Sequence, residues 1–325
     1  IEGYKFEITS LREDILTDGR HAKVKFSKNW KEDALRRDFT INSIYADEDG
    51  NLFDPFEGKK DLENGFVNFI GDADKRIKED YLRILRYLRF FLQYSKVDHD
   101  ENIIKLIKQN INGLNKISNE RIFDELKKIM TLKNIYNLFQ DKQSKEIIVN
   151  VFPQFKFFER LKVFNKLNEK LKSKYDYKIM LAILILDHSS DYEFFCYKYK
   201  TPNELKDKFT YVTKNYENIK KRDFFSEENI KKLIYYSNKN NVQYLLLFSK
   251  FIKSKLEDLD LQKLLDYVEI CKIPKFPISG DDLKKYGFKT GEELGKKLKT
   301  LEDQWIKNGF IIDKKFIESS LNKVK

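Results

Sequence analysis

Near the N-terminus, apolar and polar residues alternate with a period of two. Tyr4-Lys5-Phe6-Glu7-Ile8 and Ala22-Lys23-Val24-Lys25-Phe26 both carry the pattern of a half-buried strand. Asp18-Gly19 and Asp49-Gly50 are turn signals between such segments, and Leu52-Phe53-Asp54-Pro55 predicts a short strand ending at its proline. From Ala73 onward the period becomes helical and stays so. Leu82, Leu85, Leu88 and Leu92 recur at helical spacing, and the apolar run Ile179 to Leu186 predicts a buried helix, far too short to cross a bilayer. Thr201-Pro202-Asn203-Glu204 reads as a capping box with proline in the first helical position. Ser279-Gly280-Asp281-Asp282 and Thr290-Gly291-Glu292-Glu293 predict two further helix starts, the second a full capping box, with Gly287 stopping the helix between them. The pattern predicts an α+β chain, a small β-containing head followed by a long all-helical body.

The length of 325 residues suits several small domains, and the 41% of hydrophobic residues is enough to give each a core. With only five prolines and no Pro/Gly/Ser linker, these domains are expected to abut through continuous helices. A net charge of +11 favours an anionic partner, nucleic acid or a membrane surface, with Lys-rich solubility as the even alternative. Cys196 and Cys271 have no metal-ligand spacing and argue for a reducing compartment, here the cytoplasm. No signal peptide or membrane span is visible. The opening at Ile1, inside a strand-like pattern, predicts further sequence upstream.

Three segments carry candidate chemistry. Arg36-Arg37-Asp38-Phe39-Thr40-Ile41-Asn42 gathers two guanidinium forks, a carboxylate and an amide, groups suited to phosphate and sugar oxygens. The alternative is a charged helix start with Asp38 as its cap. In Glu79-Asp80-Tyr81-Leu82-Arg83, Asp80 and Arg83 are three apart and on a helix would share a face. That pair is either a weak local ion pair or a reader of bases. Cytosine and adenine both present an amino donor beside a ring-nitrogen acceptor. An Asp that only accepts and an Arg that only donates complement that order. Guanine and uracil present the reverse order and would leave buried charges unpaired, which makes rejection strong. Arg86 and Arg89 extend Arg83 into a basic arc placed for triphosphate or RNA backbone, unless it is simply a solvated face. Glu7, just before Thr9-Ser10-Leu11-Arg12, is a candidate strand carboxylate for a metal, although a lone Glu there more often faces solvent.

Taken together these residues resemble the class II nucleotidyltransferases, the family of tRNA CCA-adding enzymes and bacterial poly(A) polymerases. The resemblance runs in family order through Phe6 to Arg12, Thr17 to Ala22, Arg36 to Asn42, Asp54 to Leu62, Ile70 to Ala73, Glu79 to Phe90 and Ser118 to Leu126. It returns at Phe276 to Leu283 and at Gly291 to Gly295. It implies a partial nucleotidyltransferase head over 1–72, a base-selecting neck over 73–140, a helical body over 141–270 and a tRNA-binding tail over 271–325. It implies ATP and CTP as substrates, tRNA as the partner and Mg²⁺ as the metal. Nucleotide binding falls to Arg36, Arg37, Asp38, Asn42, Asp80, Arg83, Arg86 and Arg89, a catalytic metal carboxylate to Glu7, and the switch from C to A addition to the loop from Asp18 to Trp30. The tRNA-type motif carries Tyr81 where the poly(A) polymerases often have proline. Poly(A), CC-only or A-only addition and a non-catalytic RNA-binding remnant are the alternative readings.

Two departures from the family stand out. Its glycine-rich turn and Asp-x-Asp metal pair lie upstream of Ile1, and Asp47/Asp49, Asp72/Asp74 and Asp98/Asp100 do not replace them. Glu57 stands where the family usually has glycine. The three histidines form no cluster, so an appended phosphohydrolase is not expected. Residues 1–325 alone are therefore expected to transfer no nucleotide, and robust incorporation by the purified chain overturns that expectation.

Overall fold

The computed structural model describes residues 9–17, 22–253 and 256–311, which fall into two compact units, 1–213 and 214–325. Glu7, the strand pattern Tyr4 to Ile8 and the Asp18-Gly19 turn lie outside the described residues. The α+β expectation holds: small antiparallel pairs come first and helices follow.

In the first unit, β1 (Arg12–Thr17) pairs antiparallel with β2 (Ala22–Phe26), with a register shift between Asp14 and Leu16. Asn29 caps α1 (Trp30–Leu35), its side chain accepting from Lys31 N at 2.9 Å. After a 3₁₀ turn, Thr40–Asn42, β3 (Tyr45–Ala46) pairs with β4 (Leu52–Phe53). Asp47 closes that hairpin by accepting from Asn51 N at 2.7 Å, so Asp47/Asp49 is a turn, as the sequence reads. Trp30 packs on Tyr45 and Phe53, ring centroids 5.5 and 5.8 Å away, and ties α1 to the hairpin.

The start of α2 (Gly58–Asn64) lies hard against the 3₁₀ turn. A Cβ on Gly58 would stand 2.1 Å from the Thr40 carbonyl oxygen. Glu57, where the family resemblance calls for glycine, has φ +55° and ψ +32°, left-handed backbone that disfavours a side chain. Asp54 caps α2 instead, accepting from Gly58 N and Lys59 N, both at 2.8 Å.

Helix α3 (Ala73–Glu79) is capped by Asp72, and α5 (Glu101–Asn110) by Asp100, which accounts for the other two Asp-x-Asp spellings. Between them, α4 (Arg83–Tyr94) buries Ile84, Leu85, Leu88 and Leu92, and Leu82 just before it. The leucine stripe therefore faces the core, as its spacing predicts. Phe39 is fully buried and meets Phe69 and Phe90 at ring-centroid distances of 4.7 and 5.2 Å, joining the head segment to α4. A 3₁₀ segment, Ile111–Lys116, leads into α6 (Asn119–Met130), to which Arg89 ties α4 by gripping Glu125, a carboxylate only 1% exposed. His99 is also structural. Tyr87 Oη meets its Nδ1 at 3.0 Å, and Asp141 and Ser144 meet its Nε2 at 3.0 and 2.9 Å. Burial outweighs Asp141 and holds its pKa below the ordinary value.

Seven further helices follow: α7 (Asn137–Gln140), α8 (Lys142–Val151), α9 (Arg160–Lys166), α10 (Glu169–Lys172), α11 (Tyr177–Ile185), α12 (Asp191–Lys198) and α13 (Asn203–Ile219), the last crossing the division between units. Every residue of α11 from Ile179 to Ile185 is buried, as the apolar run predicts, and Arg160 donates to the Ile183 and Leu186 carbonyls at its end, both at 2.8 Å. The second unit holds α14 (Glu227–Tyr236), α15 (Lys239–Ser249), α16 (Asp258–Ile270), α17 (Gly280–Lys285) and α18 (Glu292–Lys307). No helix among the described residues is long and apolar enough to cross a membrane.

The helix starts fall where the sequence puts them, but their caps differ. The full capping box forms at Ser279 and Asp282, whereas α18 begins after Gly291 without a side-chain cap. At α13, Glu204 accepts from Lys178 Nζ at 2.5 Å instead of turning back to Thr201. A cross-element ion pair has taken the side chain that the local motif assigned to the cap.

Because Glu57 bears a left-handed backbone without need of its side chain in the cap, Glu57→Gly is expected to raise the unfolding free energy by about 1 kcal/mol. A higher urea midpoint at unchanged slope is the expected reading. An unchanged or lower midpoint would show that the position carries no strain.

Candidate active site

The candidate site is built on three small clusters in the first unit, each centred on a carboxylate. The first centre is Asp33, which the sequence reading missed. It is fully buried on α1 and accepts from four residues: Arg36 through Nε at 2.9 Å and Nη2 at 2.5 Å, Arg37 through Nε at 3.4 Å and Nη2 at 3.2 Å, Tyr45 Oη at 2.7 Å and Arg12 N at 3.2 Å. Burial pushes its carboxyl up, but the bonds from Tyr45, Arg36 and Arg12 N outweigh burial and hold it at about 2. Arg36 and Arg37 therefore share Asp33, not their neighbour Asp38. The signal was present in the sequence, since Asp33 stands three and four residues before the two arginines.

The second centre is Asp38, at 5% exposure. Its Oδ1 accepts from Asn42 Nδ2 at 3.0 Å and from Phe39 N at 3.1 Å, and its Oδ2 accepts from Arg86 Nε on α4. Burial raises this carboxyl, but Arg86, Asn42 and the nearby Arg83 together bring it below its ordinary value. Asp38 caps no helix. It pins the head segment to α4, and the structure thus joins Asp38, Asn42 and Arg86 from positions forty-eight residues apart.

The third centre is Asp80, and here the structure corrects the sequence reading. Asp80 does not share a helix face with Arg83. It is the extended break between α3 and α4, with φ −151° and ψ 102°. Its Oδ1 accepts from Leu82 N at 3.2 Å and its Oδ2 from Arg121 Nη2 on α6 at 2.7 Å. Arg83 uses Nη1 alone, donating to the Arg76 carbonyl and to Glu79, both at 2.7 Å. Its Nε and Nη2 make no hydrogen bond among the described residues. Tyr81, between the two, lies on the 3₁₀ segment so closely that a Cβ on Gly113 would stand 2.1 Å from its ring. Tyr81 was read from the sequence only as the residue standing in place of a proline, and no role was assigned to Arg121 or Gly113, because such roles depend on contacts between distant segments.

The basic arc also differs from its expectation. Arg83 pairs with Glu79, Arg86 with Asp38 and Arg89 with Glu125, so each arginine is partly buried against a carboxylate and none is a free cation. Among the described residues no three His, Cys, Asp or Glu side chains gather as a metal-ligand set. The two buried carboxylates that meet α4 are already held by cations, Asp38 by Arg86 with Asn42 and Glu125 by Arg89. The described residues do not by themselves fit a divalent metal.

Comparisons with known proteins agree with this architecture. Family profiles match along the chain: the poly A polymerase head domain over residues 1–68, the "Probable RNA and SrmB- binding site of polymerase A" over 98–158, and tRNA nucleotidyltransferase domain 2 over 170–321. The mitochondrial CCA tRNA nucleotidyltransferase 1 of Mus musculus is 34% identical over 328 residues, covering 98% of this chain and 72% of its own length. The CCA-adding enzyme of Lactococcus lactis is 30% identical over 318 residues, covering 94% of this chain and 75% of its own. Among solved structures, the Bacillus stearothermophilus CCA-adding enzyme in complex with CTP superposes with a TM-score of 0.71 at 20% identity, covering 97% of this chain and 78% of that one, which is a likeness of fold. A poly A polymerase head domain followed by a tRNA nucleotidyltransferase domain in one chain defines a nucleotidyltransferase. The chain belongs to the family of class II CCA-adding tRNA nucleotidyltransferases.

The depressed Asp33 carboxyl makes a signed prediction. Its contribution is full above the unfolded value near 4 and is lost as pH falls towards about 2. Asp33→Asn is expected to cost about 2 kcal/mol at neutral pH and to flatten the stability curve between about pH 4 and pH 2. Urea unfolding across that range checks it, and a variant whose acid limb parallels the wild type would refute the assignment.

Proposed function

We propose that the protein to which this chain belongs adds C and A to the 3′ end of tRNA from CTP and ATP without a nucleic-acid template, and that this chain supplies its base selection. One observation carries the reading: Asp80, a pure acceptor, and Arg83, with two guanidinium donors unengaged, flank the turn between α3 and α4. An amino group beside a ring-nitrogen acceptor complements that pair, so cytosine and adenine are accepted and guanine and uracil refused. Arg36, Arg37, Asp38, Asn42, Arg86 and Arg89 complete the proposed nucleotide site, with Asp38 and Arg86 setting where α4 stands. A tRNA 3′-hydroxyl then attacks the α-phosphate in line, and positioning and charge neutralisation supply the acceleration.

Mg²⁺ is supported by the family resemblance alone, as is Glu7 as its ligand, and no step is derived through the metal. The resemblance likewise supports the four-part division into head, neck, body and tail. The profile match over 98–158 supports RNA contact beyond the neck. The two free, buried cysteines support a reducing compartment, for which we propose the cytoplasm, although the names of the mouse and human relatives place those proteins in mitochondria. Poly(A) addition is the second reading. Tyr81 packed on Gly113 favours CCA addition over it, because proline, the residue frequent there in poly(A) polymerases, supplies no ring of that reach.

The full-length protein should extend tRNA ending before CCA, tRNA-C and tRNA-CC with the matching nucleotide, CTP or ATP. Asp80→Ala with Arg83→Ala is expected to lower kcat/KM for both C and A by at least about tenfold and to relax discrimination against G and U by about a hundredfold. Full fidelity in the double variant would sink the base-selection reading, and no extension by the wild type would favour the non-catalytic remnant.

A further inference from the structure

Three adjoining hollows in the first unit form one groove along α5, the 3₁₀ segment and α8. They join through shared walls, the first two at Lys108 and the second two at Ile111 and Asn150. Lys105 lies at one end of the groove and Lys198 at the other. The third hollow, of about 180 Å³, is lined by four asparagines, Asn112, Asn115, Asn119 and Asn150. Its volume is below the ~300–1,000 Å³ of pockets that enclose a whole drug-sized ligand, so it suits a single ring.

Three of the four asparagines are chemically unengaged. The side chains of Asn112, Asn115 and Asn119 make no hydrogen bond among the described residues. Asn150 Nδ2 donates to the Glu146 carbonyl at 2.9 Å and keeps its own carboxamide oxygen available. Each free carboxamide offers two donors and an acceptor, which is what the edge of a nucleobase requires. The acidic side chains along the groove are Glu101 and Glu146. Neither lines the asparagine pocket, and Glu146 is neutralised by Lys108 at 2.8 Å. A duplex would hide its base edges in stacked pairs, whereas an unpaired nucleotide presents them.

The pocket is also next to the base-selecting turn. Gly113, between Asn112 and Leu114, supports Tyr81, and Arg121, two residues beyond Asn119, holds Asp80. We infer that this groove is a second nucleotide subsite. It holds an unpaired nucleotide of the RNA strand, its base against Asn112, Asn115 and Asn119 and its backbone along Lys105 and Lys198. The inference rests on the proposed reading that RNA is the substrate, and it adds the place where the strand behind the reacting end is held.

The test uses the full-length protein, a short RNA hairpin carrying an unpaired 3′ tail, the same hairpin blunt-ended, and CTP as a separate ligand. Asn112→Ala/Asn115→Ala/Asn119→Ala is expected to weaken binding of the tailed hairpin on the order of tenfold, with blunt-hairpin and CTP affinities unchanged. Lys105→Ala and Lys198→Ala should each reduce the slope of log affinity against log salt by about 0.7. Should the triple variant not fold, 4-thiouridine placed in the tail and crosslinked to the wild-type protein is expected to label residues 111–119, and labelling confined to other segments overturns the subsite. Equal losses for tailed and blunt hairpins, or none, also overturn it, while intact CTP binding in that case leaves the base-selection reading standing. A wild-type protein that binds neither CTP nor tailed RNA overturns both.

Discussion

A carboxylate and a guanidinium meet between the head segment and α4, where Asp38 is almost wholly shielded from water and Arg86 Nε is its principal counter-charge. An ionised carboxylate left unpaired in such a place would cost several kcal/mol, so the two elements are obliged to stay in register. That register sets everything around it. Arg83 and Arg89 lie three residues to either side of Arg86, and their partners, Glu79 and Glu125, come from α3 and α6. Asn42 holds the other oxygen of Asp38, which carries the constraint back into the 3₁₀ turn on which Gly58 rests. One buried pair thus brings the head segment and α4 together across forty-eight residues, and with them the elements each contacts.

The arginines on α4 are anchored and still have donors to spare because of how a guanidinium is built. It has five donors on a rigid plane, and a carboxylate on one edge leaves the other edge unengaged. Arg83 is held through Nη1 to the Arg76 carbonyl and Glu79, and its Nε and Nη2 stay available. Arg86 is held through Nε alone. A lysine would offer a single ammonium and could not be both anchored and presented in a fixed direction. The choice between a solvated charged face and a phosphate-gripping arc was therefore too narrow. The side chains are fastened first, and only their remaining donors are open to a ligand.

How much could be read beforehand follows the range of each interaction. The leucine stripe of α4, the buried run of α11, the Asp47 turn and the start of α3 at Ala73 depend on period and on neighbours a few residues away, and all were legible. The strained backbone at Glu57 was visible as a missing glycine, though the capping of α2 by Asp54 was not. The side-chain caps were misplaced because Glu204 had a better partner in Lys178, a residue from another helix. Asp33 was overlooked for a different reason: an Asp on a charged helix looks solvated, and only the folded chain brings Tyr45 from β3 and the Arg12 amide from β1 onto it.

The turn at Asp80, on which the proposed base selection rests, was the least legible. Three-residue spacing placed its carboxylate and the Arg83 guanidinium on a common helical face, yet the backbone at Asp80 is extended and belongs to no helix. Its direction is fixed from three sides: by Leu82 N within the turn, by Arg121 from α6, and by Tyr81 seated on Gly113. The direction of the Asp80 carboxylate is therefore a tertiary property, held by elements that follow it in the chain by thirty to forty residues. It follows that the letters Glu-Asp-x-x-Arg are not sufficient to specify a base reader. The same motif without a glycine beneath its aromatic, or without an arginine on the facing helix, would point its carboxylate elsewhere. Selectivity in this family should then vary with residues at positions matching 113 and 121 even where 80 and 83 are unchanged.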